Sequence, residues 1–272
     1  MQRIKIASPL FIVREDARRD LFGTLAKIAD AGFEAVEFVG FFEKSIEEIR
    51  EMLTELDISA IGNHVSLTEL MEDSERIIEN HKLLGCSYIT IGWPSADINP
   101  KHNKYKETLY QIGEMAEKIK NAGLIPLYHN HNFELREEDW IEDIFNVCEE
   151  KGLHYEPDLG WIAAAGRDPA YYLKKYKKIC PVIHLKDIYA EDLSKIGAGV
   201  NLTEQKDMDP QIGKFAFRPT GYGMINIPRL MPLCLACNPE WFVADHDCAY
   251  TRDAYDELKL SLDYIHSLLD MY

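Results

Sequence analysis

The chain repeats one pattern eight times: a short apolar run followed by a longer amphipathic segment. The apolar runs are too short for helices, and glycines such as Gly32, Gly85, Gly123 and Gly152 follow several of the amphipathic segments, as is typical of helix C-caps. The runs predict strands at residues 4–9, 33–39, 58–64, 88–93, 125–128, 153–158, 181–185 and 241–245. The amphipathic segments predict helices at residues 17–31, 45–56, 68–84, 104–121, 140–151, 169–176, 227–237 and 255–269.

Eight strand–helix units without a composition break predict an α/β fold, a single (β/α)8 TIM barrel of parallel strands inside a ring of helices. The 272 residues, 46% of them hydrophobic, suffice for one core of that size, so we expect residues 1–272 to form one domain. A long polar segment, residues 189–222, interrupts the pattern after the seventh strand. We expect it to lie over the catalytic face, as a lid or as a surface for a partner subunit.

Composition excludes several classes of protein. A net charge of −16 argues against a surface for nucleic acid or anionic membranes, since both require clustered Lys and Arg. No apolar run is long enough for a membrane span or a secretory leader, so we expect a cytoplasmic protein. The six cysteines are scattered through apolar contexts and are expected to be reduced core residues.

The chemistry of such a barrel lies at the C-terminal ends of its strands. Four successive strands here end in histidines, carboxylates or both, in the second half of the chain: His129, His131 and Glu134; Asp158; His184 and Lys186; Asp245. Asp158 has a simpler alternative role as the cap of a following helix. Taken together, these residue types suit a divalent cation, for which we expect Mn²⁺ first and Mg²⁺, Co²⁺ or Zn²⁺ as alternatives.

Five motifs at these strand ends resemble the xylose isomerase-like barrel superfamily, and within it the sugar phosphate isomerase/epimerase group with its inosose dehydratase-like and ketose 3-epimerase-like members. They are YHNHNFEL, EPDLGW, IHLKD, a GYG turn preceded by Arg218-Pro219, and WFVADHD. The resemblance implies one divalent metal held by one ligand from each of strands five to eight, here Glu134, Asp158, His184 and Asp245. Two departures follow: His129 stands where ketose epimerases carry the strand-five Glu, so either His129 or Glu134 is the ligand, and Asp245 replaces a Glu.

A metal chelated by a carbonyl and a neighbouring hydroxyl stabilises the enediolate that forms when a proton leaves the adjacent carbon. For the acid and base we predict Glu134, His131 and Asp245, with Lys186 further back. A carbohydrate substrate would find apolar faces at Trp93 and Trp161, although these rings have an alternative role in packing the barrel top. Hydroxyl contacts are predicted for His64, Asn130, His129 and Arg218.

These observations favour an isomerase or epimerase that moves a proton next to the carbonyl of a keto sugar or polyol. A lyase of the inosose dehydratase or keto-glycoside-cleaving type is the alternative, with the same metal and base and an extra acid from His246 or Asp247. A phosphodiesterase like the endonuclease branch of the superfamily would need a basic groove, which the charge of −16 disfavours. We favour a homo-oligomer.

Overall fold

Eight parallel strands form the centre of the molecule. A computed structural model describes residues 3–94, 101–135, 140–191, 215–249 and 251–272. The strands are β1 (Lys5–Pro9), β2 (Ala35–Phe38), β3 (Ser59–Ser66), β4 (Tyr88–Trp93), β5 (Ile125–His129), β6 (His154–Glu156), β7 (Val182–His184) and, near the end of the chain, β10 (Trp241–Val243). They pair in the order β6-β5-β4-β3-β2-β1-β10-β7, which is the order of a barrel opened between β6 and β7.

Backbone contacts close most of that remaining gap. Asp158 and His184 form a parallel bridge, and the His184 N–H donates to the Pro157 carbonyl at 3.0 Å. Lower down, the Tyr155 N–H donates to Ile179 at 2.7 Å. The predicted TIM barrel is therefore confirmed as a nearly closed barrel of eight parallel strands.

Helices follow the strands around the outside of the barrel. They are α1 (Arg14–Arg19), α2 (Leu21–Asp30), α3 (Ile46–Glu55), α4 (Leu67–Leu84), α5 (Tyr105–Asn121), α6 (Trp140–Cys148), α7 (Leu159–Ala164), α8 (Pro169–Lys175), α9 (Ile227–Ala236) and α10 (Ala254–Leu269). Capping boxes at Ser45 and Ser66 begin α3 and α4. None of the helices in the described ranges is long and apolar enough to cross a membrane.

Two predicted helices differ in detail from the structure. The predicted helix at 17–31 is two helices, because Asp20 leaves the helical region with φ −152° and accepts the Gly23 N–H to begin α2. The predicted helix at 140–151 ends as a 3-10 turn at Glu149–Lys151. Helix α7 was not predicted, and it begins directly at the site residue Asp158.

Part of the long segment after β7 forms a two-stranded sheet. Strands β8 (Asp187–Ala190) and β9 (Phe215–Arg218) pair antiparallel, and residues 192–214 of the predicted 189–222 loop lie outside the described residues. The Asp187 carboxylate accepts backbone N–H groups of Gly221, Gly223 and Ile225 at 2.9–3.0 Å. This one buried carboxylate therefore fixes the GYG turn against the end of β7.

Alternation along the strands separates an apolar layer from a polar layer inside the barrel. Side chains two residues apart in a strand point to the same side. Ala35, Leu127, Val182 and Val243 are buried in one apolar cluster with Trp241 and its neighbours. Two residues further along each strand stand Glu37, His129, His184 and Asp245 respectively. The apolar layer is thus the floor on which the polar layer rests.

Candidate metal centre and substrate cavity

A cavity of about 310 Å³ opens above the polar layer at the C-terminal ends of the strands. Its walls combine histidines, carboxylates and aromatic rings. The polar lining residues include Glu37, His64, Glu69, His129, His131, His184, Lys186, Asp245 and Asp247, and the aromatic ones are Phe11, Phe38, Trp93, Phe133 and Trp161. This volume and lining suit a small polar molecule with an apolar face.

One group of metal-capable residues, here named the Glu156 site, consists of His64, His129, Glu156 and His184. Their potential ligand atoms all lie within 4.8 Å of one another. Glu156 Oε2 lies 3.1 Å from His64 Nε2 and 3.6 Å from His129 Nδ1, and Glu156 Oε1 lies 3.6 Å from His184 Nε2. The three imidazole rings contact one another, with centroids 4.6–5.6 Å apart.

Glu37 borders the Glu156 site on its other side. Its Oε2 lies 3.2 Å from His64 Nε2 and 3.0 Å from His184 Nε2. Burial lowers the pKa of His64, but the charges of Glu37 and Glu156 outweigh burial and raise that pKa to about 10. Burial likewise raises the pKa of Glu37, yet His64 and His184 outweigh it and hold the pKa below its usual value. In the absence of another cation, two imidazolium ions therefore balance two buried carboxylates.

A second group, here named the Asp158 site, consists of Asp158, His184 and Asp245, again with ligand atoms within 4.8 Å of one another. His184 Nδ1 lies 2.9 Å from Asp245 Oδ2. Asp158 Oδ1 accepts the Trp161 N–H at 2.8 Å and so caps α7, while Oδ2 is buried without a hydrogen bond. The role of Asp158 as a helix cap is therefore confirmed, and its other oxygen faces the carboxylate of Asp245 and the imidazole of His184 in the Asp158 site. His129 Nε2 lies 3.9 Å from Asp158 Oδ2, which also contacts the Lys186 ammonium.

Lys186 lies between the carboxylates of the Asp158 site and a third carboxylate. Its Nζ is 3.1 Å from Asp158, 2.9 Å from Asp245 and 2.6 Å from Asp247. Burial lowers the pKa of Lys186, but the three carboxylates outweigh burial and raise the pKa well above its usual value. A Cβ at Gly160 would lie 2.6 Å from Lys186 Cγ, so a glycine is required where α7 passes this side chain.

One side of the cavity is an aromatic wall. The Trp93 ring lies 5.2 Å from His131 and 5.4 Å from Phe133, and the rings of His131 and Phe133 stack at 5.6 Å. Burial, together with the charge of Lys186, lowers the pKa of His131 to about 3, so this imidazole is neutral at pH 7. Trp93 is 46% exposed at the cavity mouth, so its ring face is available to a ligand.

Four residues predicted for the site do not line the cavity: Asp158, described above, and Glu134, Asn130 and Arg218. The Glu134 carboxylate accepts the Tyr128 hydroxyl at 3.0 Å and the His131 N–H at 2.9 Å, and burial raises its pKa to about 8. The structure places Glu134 outside both metal-capable groups, whereas His129, its alternative, belongs to the Glu156 site. Asn130 Oδ1 accepts the Tyr155 hydroxyl and the Asp158 N–H. Arg218 on β9 lies over the Tyr189 ring at 5.7 Å.

Sequence reasoning assigned no role to two residues that the structure brings to the centre, Glu37 and Glu156, and it considered Asp247 only as the extra acid of a lyase. The first two lie near the ends of predicted strands, and Glu156 stands two residues before Asp158, on the same side of an extended chain. Alternation along β6 was the signal for Glu156. Nothing in the local pattern pairs Glu37 with His64 and His184, because that contact crosses the barrel.

A buried polar layer of imidazoles and carboxylates at the C-terminal end of a (β/α)8 barrel defines the class of protein as a TIM-barrel enzyme with a candidate metal centre. The family model described as xylose isomerase-like TIM barrel matches residues 25–246. The chain belongs to this family.

Curated relatives include inosose dehydratases of bacteria. One from Bacillus thuringiensis is 24% identical over 147 residues, covering 53% of this chain and 46% of that protein. One from Clostridium beijerinckii is 22% identical over 196 residues, covering 63% of this chain and 65% of that protein. The chain thus matches about half to two thirds of the length of these relatives.

Solved structures show the same fold over nearly the whole chain. A sugar phosphate isomerase/epimerase from Parabacteroides distasonis aligns with TM-score 0.71 and 16% identity, covering 98% of this chain and 95% of that one. The probable 3-DHS dehydratase of petrobactin synthesis from Bacillus anthracis aligns with TM-score 0.72 and 13% identity, covering 97% and 99%. At these identities the likeness establishes the fold alone.

Proposed function

We propose that this chain is a divalent-metal-dependent isomerase or epimerase that moves a proton next to the carbonyl of an uncharged keto sugar or polyol. The observation that carries the proposal is the Asp158 site, where two carboxylates and one imidazole present ligand atoms within 4.8 Å of one another beside an open cavity. Isomerases, epimerases and dehydratases of the family share the chemistry of a proton next to a carbonyl.

The donor set of the Asp158 site fits a divalent cation. Asp158, Asp245 and Asp247 are buried carboxylates that share the one ammonium of Lys186, so a divalent ion at Asp158 and Asp245 would supply further positive charge. Two carboxylates and an imidazole suit Mn²⁺, with Mg²⁺, Co²⁺ and Zn²⁺ as alternatives. His129 Nδ1 lies 3.6 Å from Glu156 and His129 Nε2 lies 3.9 Å from Asp158, so we assign His129, rather than Glu134, as the strand-five ligand of the metal centre. A bound ion would polarise the substrate carbonyl and stabilise the negative charge of the enediolate.

Asp247 and Lys186 carry the proton in this proposal. Asp247 lines the cavity and belongs to neither metal-capable group, so its carboxylate is free to accept a proton from the carbon next to the carbonyl. Lys186 holds Asp247 by the 2.6 Å contact and donates a hydrogen bond to the substrate oxygen on which charge develops. Asp245 and His131, predicted for the same work, line the cavity beside them.

The cavity walls favour a neutral carbohydrate. Trp93 and Phe133 offer ring faces to the C–H side of a sugar, and His64 with His131 lies within reach of its hydroxyls. Among the described lining residues the carboxylates Glu37, Glu69, Asp245 and Asp247 outnumber the one lysine, Lys186. No arginine is among the described residues that line the cavity, so a phosphate or carboxylate group on the substrate would find no guanidinium partner there.

A lyase is the second candidate, because the curated relatives are inosose dehydratases. The same carboxylate would remove the proton, and Lys186 would then protonate a leaving group on the next carbon. Both reactions begin with proton abstraction, so the fate of the enediolate separates them.

The test is solvent exchange followed by NMR. The protein is incubated with Mn²⁺ in deuterated buffer with a panel of ketohexoses, inososes and 3-keto-glycosides. Deuterium in an intact substrate or its epimer supports the isomerase or epimerase, and deuterium with loss of a substituent supports the lyase. Absence of exchange with every member of the panel contradicts both.

A further inference from the structure

The Glu156 site, at the floor of the cavity, has the donor set of a cation position distinct from the Asp158 site. Four of its atoms, His64 Nε2, His129 Nδ1, His184 Nε2 and Glu156 Oε2, are buried and make no hydrogen bond of acceptable geometry. The side chains of Glu156 and His184 are almost wholly inaccessible to solvent. Buried polar atoms left without hydrogen bonds are rare in folded proteins, and here they converge on one point.

The separations between these atoms match those around a metal ion. Ligands at about 2.0–2.2 Å from a tetrahedral ion lie roughly 3.3–3.6 Å from one another. Glu156 lies 3.1 Å from His64 and 3.6 Å from both His129 and His184. The fold also makes room for these rings: a Cβ at Gly92 would lie 2.7 Å from His64 Nδ1.

The two sites differ in chemistry and share one residue. The Glu156 site offers three imidazoles and a carboxylate, with Glu37 Oε2 3.0–3.2 Å from two of the imidazoles. Such nitrogen-rich sets favour Zn²⁺, Co²⁺ or Fe²⁺ over Mg²⁺. His184 directs Nε2 to this site and Nδ1 to Asp245 of the Asp158 site. His64 and Glu156 belong to the Glu156 site alone, and Asp158 and Asp245 to the other.

We propose that the Glu156 site binds a second divalent transition-metal ion, held by His64, His129 and Glu156, with His184 between the two ions as an imidazolate whose proton is released to solvent. Four of the residues around it, Glu37, His64, His129 and His184, line the cavity, so the ion has an entry path. The centre then contains two metal ions. The ion of the Glu156 site lies at the floor of the cavity, below the substrate.

The test is the metal content of the full chain. Protein stripped with a chelator is dialysed against Co²⁺, and bound cobalt is measured by mass spectrometry together with the visible absorption of the ion. Wild type is expected to bind about two equivalents, and Glu156→Gln and Asp245→Asn about one each. The one ion in Asp245→Asn should show the spectrum of an imidazole-rich site, and the one in Glu156→Gln should not.

Matched controls keep the result interpretable. Glu149→Gln and His266→Gln change exposed residues and should bind as wild type. His64→Gln is the second variant if Glu156→Gln does not fold by circular dichroism, and it too should bind about one equivalent. One equivalent in wild type, or two in a folded Glu156→Gln or His64→Gln protein, overturns the inference. This outcome is independent of sugar exchange, so the inference and the proposed reaction can fail separately.

Discussion

The ammonium of Lys186 and the carboxylate of Asp247 lie 2.6 Å apart at the edge of the cavity, and neither residue belongs to a metal-capable group. Lys186 also contacts Asp158 and Asp245, which belong to the Asp158 site. One buried cation thus connects the proposed proton acceptor with the proposed metal ligands.

Substitution Lys186→Met should both inactivate and destabilise the protein. Removal of the ammonium leaves three buried carboxylates without their nearest cation, which costs about 3–5 kcal/mol of unfolding free energy. A bound Mn²⁺ ion would compensate, so the gain in melting temperature on adding Mn²⁺ should be larger for the variant than for wild type. The rate at which the substrate takes up solvent deuterium should fall by roughly 10²–10⁴-fold.

The matched control for this substitution is Lys174→Met, which changes an exposed lysine on α8. Thermal melts with and without Mn²⁺ measure the loss of stability and its compensation by the ion. The deuterium assay measures the loss of activity. Equal Mn²⁺ responses in Lys186→Met and wild type would show that the lysine does not lie beside the metal.

Glu134 should make stability fall as pH rises. Burial raises its folded-state pKa from 4.5 to about 8, so between these values the native chain holds a proton that the unfolded chain has lost. Each pH unit in this window then lowers the free energy of unfolding by about 1.4 kcal/mol from this group. Glu134→Gln should remove this contribution, so its stability relative to wild type should increase from pH 5 to pH 8. Urea melts across this range measure the difference, and parallel curves would contradict it.

Asn130 should act on stability and metal binding instead of substrate contact. Its Oδ1 accepts the Asp158 N–H at 3.0 Å and the Tyr155 hydroxyl at 2.6 Å, deep behind the cavity. Asn130→Ala should cost about 1–3 kcal/mol and weaken Mn²⁺ binding, because the backbone of Asp158 loses its partner. Tyr155→Phe, which removes one of the two bonds, should cost about 1 kcal/mol. Unchanged stability with a raised KM in Asn130→Ala would instead indicate a substrate contact.

The barrel was predictable because its signal is local. Apolar runs such as Tyr88–Trp93 have the length and composition of buried strands, and the predicted β4 matches the observed bounds. Strand ends then identified His129, His184 and Asp245. The roles of Glu134 and Asn130 could not be predicted in the same way, because the chain leaves β5 after His129 and alternation no longer says where side chains point. Glu37 contacts His64 and His184 across the barrel, and a local sequence pattern does not predict such contacts between strands.

Trp93 should contribute to substrate binding more than to the chemical step. It is exposed at the cavity mouth and packs only edge to face with His131 and Phe133. Trp93→Ala should raise KM by about tenfold, for a loss of about 1–1.5 kcal/mol, with little change in kcat or melting temperature. Tyr110→Ala is the control, since Tyr110 is another exposed aromatic and does not line the cavity. A fall in kcat with unchanged KM would contradict the role of Trp93 as a binding face.

The most direct test of metal-dependent proton transfer is deuterium incorporation into the best substrate of the panel by three samples: chelator-stripped protein, the same protein with Mn²⁺ restored, and Asp158→Asn with Mn²⁺. Our account predicts exchange in the restored wild type alone, with the other two at least roughly 10²-fold slower. Equal exchange in the stripped and restored samples, or undiminished exchange in Asp158→Asn, would contradict it.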